Sequence, residues 1–452
     1  MPHDHDTIVA PATAPGGALC VIRMSGGEAI ALCDRLFRGR NSLAEAEGYT
    51  LHYGAIYDGE RVIDEVLVSL FRAPRSYTGE DLIEISCHGS RYVVSEILRL
   101  LCREGARMAS PGEFTTRAYL NGKMDLSQAE AVADLIASSS RAAHALATHQ
   151  MRGGYSSHLE ELRERLLHLT TLLELELDFS EEEVEFASRH ELRTTMEQIL
   201  AQIQHLSGSF ALGNAIKQGV AVALVGAPNV GKSTLLNCLL GEERALVSEI
   251  AGTTRDVIEE ATNIDGVLFR FVDTAGIRAT DDRLEQMGIE RTLQRIEQAQ
   301  LIVHLIDGSQ LDGAALPSLD YTLRPDQHLL QVVNKCDLMT ADAPLPEGVI
   351  ALSAKEGRGI DSLRKALREV VDTHSIDQGE DVVSSSRHAE ALHAAEEALR
   401  SALAGLNNDL PTDLLSEEIR QVITHLGSIT GRGLITPDEV LYTIFGKFCI
   451  GK

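Results

Sequence analysis

Apolar positions in this chain recur with two different periods, and the points where the period changes divide it into segments. Over residues 1–120 the alternation is that of strands: Ala18–Ser25, Tyr49–Ile56, Val62–Phe71 and Leu82–Cys87, with a turn at Asp58-Gly59 joining the second to the third. Ser90–Glu104 reads as a helix, so this part is expected to be a small α+β domain. From 121 to 213 the period lengthens. Ser127-Gln-Ala-Glu130 has the form of a capping box ahead of an Ala-rich helix, which Gly153-Gly154 interrupts. Leu159, Leu162, Leu166, Leu169 and Leu173 then fall at alternating spacings of three and four, one helical stripe that reads as bundle core. Asp178–Phe186 is an acidic break, after which Glu191–Leu206 resumes helix. Helical spacing returns after 376, with Leu392, Leu399, Leu403 and Leu406 on one stripe and Leu415, Ile419, Val422, Ile423 and Leu426 on another. Thr436-Pro-Asp-Glu439 is a strong helix start.

Between these helical stretches, over 216–375, short apolar runs each end in a polar motif. Val220–Val225 leads into Gly226-Ala-Pro-Asn-Val-Gly231-Lys232-Ser233-Thr234, and Leu235–Leu240 reads as the following helix. That is the strand–loop–helix context of a P-loop: the glycines let N–H groups face a polyphosphate, Lys232 reaches the β- and γ-phosphates, and the Ser233 hydroxyl sits on Mg²⁺. Leu268–Val272 precedes Asp273-Thr274-Ala275-Gly276, an Asp suited to Mg²⁺ and a Gly N–H suited to the γ-phosphate. Leu329–Val333 precedes Asn334-Lys335-Cys336-Asp337, whose carboxylate can accept the two N–H groups of guanine. Val349–Leu352 precedes Ser353-Ala354-Lys355, a source of further backbone contacts to the base. Four motifs in this order resemble a GTP-binding domain of the Ras-like superfamily. Ile277 stands where such enzymes often carry a water-orienting Gln. Glu285 is a candidate substitute, although by itself it reads more readily as an ordinary solvated helix charge.

The simplest architecture is therefore multidomain: an α+β N-terminal domain (1–120), a helical domain in two pieces (121–213 and 376–452), and an inserted α/β P-loop GTPase domain (216–375). Composition refines this only slightly. The seven cysteines are scattered, with no C-x-x-C pair, which favours free thiols in a reducing cytoplasm over a disulfide framework or zinc site. No apolar run approaches the ~18 residues of a membrane span, and the N-terminus lacks the signature of a signal peptide. A net charge of −26 argues against broad non-specific nucleic-acid affinity, leaving a local patch or a partner protein as the route to such a ligand. Cys449, in the terminal Phe448-Cys-Ile-Gly-Lys452, reads as a buried thiol or, with a Lys nearby, as a partly activated one.

The whole chain resembles the MnmE (TrmE) family of tRNA-modification GTPases. The resemblance is carried by Thr7-Ile-Val-Ala, Arg23 with Ser25-Gly26, Tyr77-Thr-Gly-Glu-Asp, Pro111-Gly-Glu-Phe, Lys123-Met-Asp-Leu-Ser-Gln-Ala-Glu-Ala, the inserted GTPase and the Phe-Cys-Ile-Gly-Lys tail. It implies a homodimer that works with an FAD-containing partner, MnmG (GidA), in a heterotetramer. Together they add a (carboxymethyl)aminomethyl group to C5 of the wobble uridine of certain tRNAs. It also implies a tetrahydrofolate (5,10-methylene- or 5-formyl-) contacted by Arg23, Glu84, Lys123 and Lys452. GTP is expected on Asn229, Val230, Gly231, Lys232, Ser233, Thr234, Ser248, Thr253, Thr254, Asp273, Thr274, Ala275, Gly276, Asn334, Lys335, Asp337, Ser353, Ala354 and Lys355. Mg²⁺ falls to Ser233 and Thr254, and K⁺ to Asn229, Ser248, Ile250 and Thr253, where other GTPases use an arginine finger. Some relatives carry Thr at position 248. By the same resemblance Glu285 becomes the water-orienting Glu, so that Glu285, Lys232 and Cys449 are the expected catalytic residues. Two alternatives stand beside this reading: a ribosome-assembly GTPase, and a folate-dependent one-carbon transferase regulated by GTP.

Overall fold

The computed structural model describes residues 6–178, 188–241, 260–272, 296–311, 316–317, 321–325, 327–339, 345–371, 378–432, 441, 444–446, 448 and 451. Compactness divides the chain into two units, Met1–Ala133 with Leu426–Lys452, and Asp134–His425.

In the first unit, seven strands form one sheet: β1 (Ile8–Pro11), β2 (Leu19–Ser25), β3 (Phe37–Gly39), β4 (Thr50–Asp58), β5 (Arg61–Phe71), β6 (Leu82–His88) and β7 (Arg107–Met108). Their order is β3-β4-β5-β6-β2-β1-β7, antiparallel except between β1 and β7. The two-residue period of a strand sorts the side chains. Cys20, Ile22 and Met24 of β2, Val66, Val68 and Leu70 of β5, and Ile83, Ile85 and Cys87 of β6 are buried in one core with residues of helices α1 (Ala29–Leu36) and α2 (Arg91–Glu104). On the other face Leu51, Tyr53 and Leu67 are 62%, 65% and 41% exposed. The β4–β5 turn lies one residue later than expected. Asp58 still pairs with Arg61, so the loop is Gly59-Glu60, with Gly59 supplying the positive φ of 65°.

Helices α3 (Glu113–Leu120) and α4 (Leu126–Ala137) follow. The expected capping box at Ser127–Glu130 needs correction. Gln128 N–H donates to Asp125 Oδ1 (2.9 Å) and Asp125 N–H donates to Gln128 Oε1 (2.9 Å), so the reciprocal box is Asp125-x-x-Gln128. Asp and Gln satisfy the box as well as Ser and Glu do, and the earlier pair also frees Ser127 to donate to Asp125 Oδ1. Leu126 and Ala129 of α4 are buried with Leu441, Ile444, Phe445 and Phe448, so the C-terminal segment completes this unit's core. The helix start expected at Thr436 lies outside the described residues.

The second unit begins with helices α5 (Arg141–Met151), α6 (Gly154–Asp178), α7 (Arg189–Gly208) and α8 (Phe210–Gln218). The five leucines of the expected stripe on α6 are all buried. A parallel sheet follows: β8 (Val220–Gly226), β10 (Val267–Phe271), β11 (Leu301–Asp307), β12 (His328–Asn334) and β13 (Ile350–Ala351), with β9 (Glu260–Ile264) antiparallel on the edge. The order β13-β12-β11-β8-β10-β9 puts β8 between neighbours on both sides, which is why its residues Val220–Val225 are all buried and apolar. Helix α9 (Lys232–Leu240) follows β8, and helix Ile360–Glu369 follows β13. Helix Ser386–Asn407 packs along α7, where Gln204 donates to Glu396 (2.9 Å), and helix Thr412–Thr430 closes the series. Among the described residues no helix is long and apolar enough to cross a membrane. The fold class expected from sequence is the one observed.

Residues 381–384, between helix Ile360–Glu369 and helix Ser386–Asn407, form a pinned segment. Asp381 bonds His149 Nε2 through Oδ1 (2.9 Å) and His158 Nδ1 through Oδ2 (2.8 Å). Gln150 donates to Val382 O (3.0 Å), and Val383 N–H donates to Ser209 Oγ (3.0 Å). The bond from Asp381 holds His158 above its ordinary pKa of 6.5. Burial alone would raise the Asp381 carboxyl, but hydrogen bonds from the two histidines outweigh it and hold that group below the usual range. The His158 contribution is therefore full below the unfolded histidine pKa of about 6.5 and is lost as pH rises through the higher folded value. We expect His158→Ala to lower stability by about 1 kcal/mol at pH 6 and by less at pH 8.5. Thermal unfolding of both proteins at the two pH values checks this; an equal loss at both would contradict it.

Candidate functional site

The loop after β8 is built to present backbone. Gly226 (φ 149°), Asn229 (φ 59°) and Gly231 (φ 101°) all lie in the left-handed half of conformational space. Gly226 has no room for a side chain, since a Cβ there would stand 2.3 Å from Leu305 O of the neighbouring strand. Gly231 is equally constrained: a Cβ would stand 2.2 Å from Asn334 Nδ2. Gly231 is also the N-cap of α9, so the helix opens at Lys232 with its first N–H groups, and the positive end of its dipole, at the loop. Lys232 Nζ donates to Gly226 O (2.7 Å) and Ala227 O (2.9 Å), folding back over the loop it belongs to.

The motif after β12 is joined to this loop by one side chain. Asn334 is buried; its Nδ2 donates to Val230 O (2.7 Å) and its Oδ1 accepts from Ala354 N–H (3.0 Å). Three expected stretches, around Gly231, Asn334 and Ala354, thus meet at a single amide. Lys335 is in the left-handed region (φ 62°) and its Nζ lies 2.7 Å from Asp307 Oδ2. Asp337 Oδ1 is buried with no hydrogen-bond partner. The Ser353 hydroxyl lowers the Asp337 pKa, against a desolvation cost, with further help from the charges of Arg358 and Lys355. The carboxylate is therefore held ionised with an acceptor oxygen to spare. Ser353 itself is fully buried and bridges to Arg358 through its N–H (2.9 Å).

These features fit a nucleoside polyphosphate. The loop has the side-chain-free approach and left-handed residues of an anion cradle, and the orphaned Asp337 oxygen is an acceptor awaiting N–H donors. Val230, Ser233 and Thr234 stand on the same loop and first turn of α9. Ser248, Ile250, Thr253, Thr254, Asp273, Thr274, Ala275, Gly276 and Glu285 lie outside the described residues. Among the described residues no cluster of three or more His, Cys, Asp or Glu is arranged to hold a metal.

A second polar constellation lies in the first unit. Arg23 and Glu84 are cross-strand partners in β2 and β6, and Arg23 Nε and Nη2 donate to Glu84 Oε1 at 3.0 and 2.8 Å. The guanidinium lies 5.2 Å from the Tyr77 ring centroid and 5.8 Å from that of Phe114, and its Nη1 donates to Gly451 O (3.3 Å). The C-terminal tail is thus brought to Arg23, with Gly451 packed so tightly on Pro11 that a Cβ would stand 2.2 Å from Pro11 O. Lys123 is exposed and donates to Pro74 O (3.0 Å), at the far end of the segment that carries Tyr77. Lys452 and Cys449 lie outside the described residues.

Sequence reasoning missed the support beneath this constellation. Arg117, 9% exposed, donates to Asp6 Oδ1 (2.6 Å), to Glu80 Oε2 (3.2 Å) and to Glu113 Oε1 (3.3 Å). Ser25 Oγ donates to Glu80 Oε2 (2.8 Å), and Tyr77 Oη pairs with Thr115 Oγ1 (2.8 Å). Burial alone would raise the Asp6 carboxyl, but bonds from Arg107 and Arg117 outweigh it and hold it below its ordinary value. The available signals were the Tyr77-Thr-Gly-Glu-Asp and Pro111-Gly-Glu-Phe stretches, which supply Glu80 and Glu113; Asp6 and Arg117 lie outside both. All described cysteines are free, and burial pushes the Cys33 and Cys87 thiols up to about 12, which makes them unreactive.

Comparison with known proteins gives two family matches: "GTP-binding protein TrmE N-terminus" over residues 7–123 and "MnmE helical domain" over residues 126–449. A protein named tRNA modification GTPase MnmE from Bacteroides thetaiotaomicron is 50% identical, covering 99% of this chain and 100% of its own. Proteins of the same name from Christiangramia forsetii and Cytophaga hutchinsonii are each 48% identical, over 99% of this chain and 99% and 98% of theirs. Among solved structures, Aquifex aeolicus Era aligns over 39% of this chain at 28% identity with a TM-score of 0.24, a score that adds nothing further.

Gly231→Ala would drive a Cβ into the Asn334 amide and weaken polyphosphate binding by 100-fold or more, roughly 3 kcal/mol. Titration with a fluorescent guanosine diphosphate checks this; affinity within threefold of the parent protein would contradict the loop geometry.

Proposed function

This chain belongs to the MnmE family of tRNA modification GTPases, and on that premise we propose how its residues divide the work. It is an enzyme that hydrolyses GTP to GDP and phosphate in the service of tRNA modification. The observation that carries the nucleotide assignment is the buried Asn334 amide, which joins the phosphate-binding loop to the segments bearing Asp337 and Ala354. The amides of the 226–231 loop and the start of α9 would take the phosphates, with Lys232 swinging from its own loop carbonyls to the β- and γ-oxygens. Asp337 Oδ1 would accept from the guanine N–H groups, and Ser353, Ala354 and Lys355 would border the base. Ser233, with Thr254, would hold Mg²⁺, which supplies charge neutralisation between the β- and γ-phosphates. Glu285 would orient the attacking water in place of the absent Gln. Asn229, Ser248, Ile250 and Thr253 would hold K⁺; the left-handed backbone of Asn229 turns that residue out of the loop's regular course.

The finer chemistry is also our reading. A tetrahydrofolate would bind against Arg23, Glu84, Lys123 and Lys452, supported by the Arg23–Glu84 pair, its two aromatic neighbours and the adjacent Gly451. Leu51, Ser69, Glu84 and Arg23 form one cross-strand row, which runs from the exposed apolar face of the sheet to the proposed folate residues. That face is of the kind that pairs with a second copy of the chain, so homodimerisation would close the folate site. With an FAD-bearing MnmG partner the dimer would install the (carboxymethyl)aminomethyl group on C5 of the wobble uridine in the cytoplasm, FAD residing on the partner. The domain division is 1–120, 121–213, 216–375 and 376–452. Cys449 is assigned to the chemistry of the tail.

GTP hydrolysis in K⁺ and Na⁺ buffers of matched ionic strength tests the catalytic assignment, with Glu285→Ala and Asp337→Asn alongside. We expect at least tenfold stimulation by K⁺, loss of about 100-fold in rate with Glu285→Ala, and weakened GDP affinity with Asp337→Asn. Equal rates in the two salts would remove the K⁺ ligands, and an active Glu285→Ala would remove the water-orienting role.

A further inference from the structure

For Asp337 to read guanine, its carboxylate must be ionised and also unengaged. Those demands conflict, because the groups that keep a carboxylate ionised are cations that also pair with it. Asp337 has cationic side chains within reach of its charge or close to it in the chain. Arg358 and Lys355 act on it through their charge, and Lys335 is only two residues away, on a side chain long enough to reach it.

Lys335 is committed elsewhere. Its Nζ lies 2.7 Å from Asp307 Oδ2, and Asp307 is directly opposite Asn334 in the β11–β12 pairing. Asp307 is in turn fixed by its other oxygen: Oδ1 accepts from Ser309 N–H (3.0 Å) and from Ser309 Oγ (2.6 Å). The Asp307 side chain is 10% exposed and that of Lys335 31%, so the pair is partly shielded from solvent. Burial alone would raise the Asp307 carboxyl, but Lys335 and the two Ser309 bonds outweigh it and hold the group below its ordinary value. Arg358 is treated in the same way, since its Nε donates to Glu356 Oε2 at 2.8 Å and its Nη2 bonds the same oxygen. Lys335 and Arg358 are thus drawn to other carboxylates, and Asp337 Oδ1 is left without a partner.

We propose that Asp307 is a specificity-determining positioning residue: it draws the Lys335 ammonium away from Asp337, so that an ionised but unpaired oxygen stays available to the guanine N–H groups. This inference rests on the reading of Asp337 as the base acceptor. Asp307 touches neither base nor phosphate and acts through Lys335. Releasing it lets the ammonium compete for Asp337, and the guanine N–H groups must then displace a cation. The Lys335 stem, now held toward the end of β11, also loses its fixed course.

The test is equilibrium binding of fluorescent GDP and IDP to the full chain carrying Asp307→Asn, Lys335→Met, both changes together, or Asp337→Asn. Inosine lacks the exocyclic amino group, so the ratio of the two affinities reports the second N–H contact to Asp337. We expect Asp307→Asn to weaken GDP about tenfold and to shrink the GDP preference over IDP. In the Lys335→Met background the same change should alter GDP affinity by less than about twofold, since the residue through which it acts is gone. An undiminished tenfold loss in that background would mean Asp307 acts by holding the fold, and GDP affinity unchanged by Asp307→Asn would mean it does not act at all; either overturns the proposal. Asp337→Asn separates the two levels of inference. If it leaves GDP affinity unchanged, the base acceptor is misassigned; if it weakens GDP while Asp307→Asn is silent, only the role of Asp307 falls.

Discussion

The buried amide of Asn334 sits where three loops converge, and the nucleotide site depends on it. Its two hydrogen bonds reach Val230 O in the phosphate loop and Ala354 N–H beyond β13. Val230 lies more than a hundred residues from Asn334 in the sequence, yet the one amide holds it beside the segment that carries Ala354. A buried amide leaves strongly unfavourable unpaired groups behind when it is removed, so a partly assembled site is disfavoured against a complete one. The same amide forbids a Cβ at Gly231, which in turn fixes the left-handed turn that opens α9. Loop geometry, helix start and base pocket are therefore one constraint met three times.

The first unit solves a similar problem with charge. Arg117 is nearly buried and surrounded by three carboxylates, an arrangement that is costly unless every partner is in place. Its partner Glu80 bonds Ser25, which adjoins the strand end near Arg23, and Glu80 lies on the segment that carries Tyr77. The network thus ties the bed on which Arg23 lies to α3 and to the N-terminal strand. Rigid support of this kind fixes the Arg23 guanidinium beside the Tyr77 and Phe114 rings.

Much of this was legible from sequence, and the exceptions have physical reasons. The apolar run of β8, the leucine stripe of α6 and the β4–β5 hairpin depend on near neighbours, so their periods announce them. The P-loop was legible because its geometry demands glycine at positions where no other residue fits. The α4 cap was displaced by two residues because Asp125-x-x-Gln128 and Ser127-x-x-Glu130 overlap and both satisfy the same rule. Pairings across long separations carry no periodic signal: Arg117 with Asp6, and His149 and His158 with Asp381, went unseen, and Arg23 and Glu84 were brought together only by the family resemblance. Asp307 was passed over because nothing in Ile306-Asp-Gly-Ser309 distinguishes it until β12 is laid beside β11.

Val383 bonds Ser209 just before the chain enters β8, and a Cβ on Gly213 would stand 2.2 Å from Val383 O. The two ends of the nucleotide-binding part are therefore stapled side by side on the helices that flank it. A loop whose ends already touch adds little closure entropy however long it grows. The helical scaffold therefore meets the nucleotide-binding part at one narrow junction, where Val383 sits against Ser209 and Gly213. Strain arising in the nucleotide-binding part can reach the helices only through that junction, so its two strands move together or not at all.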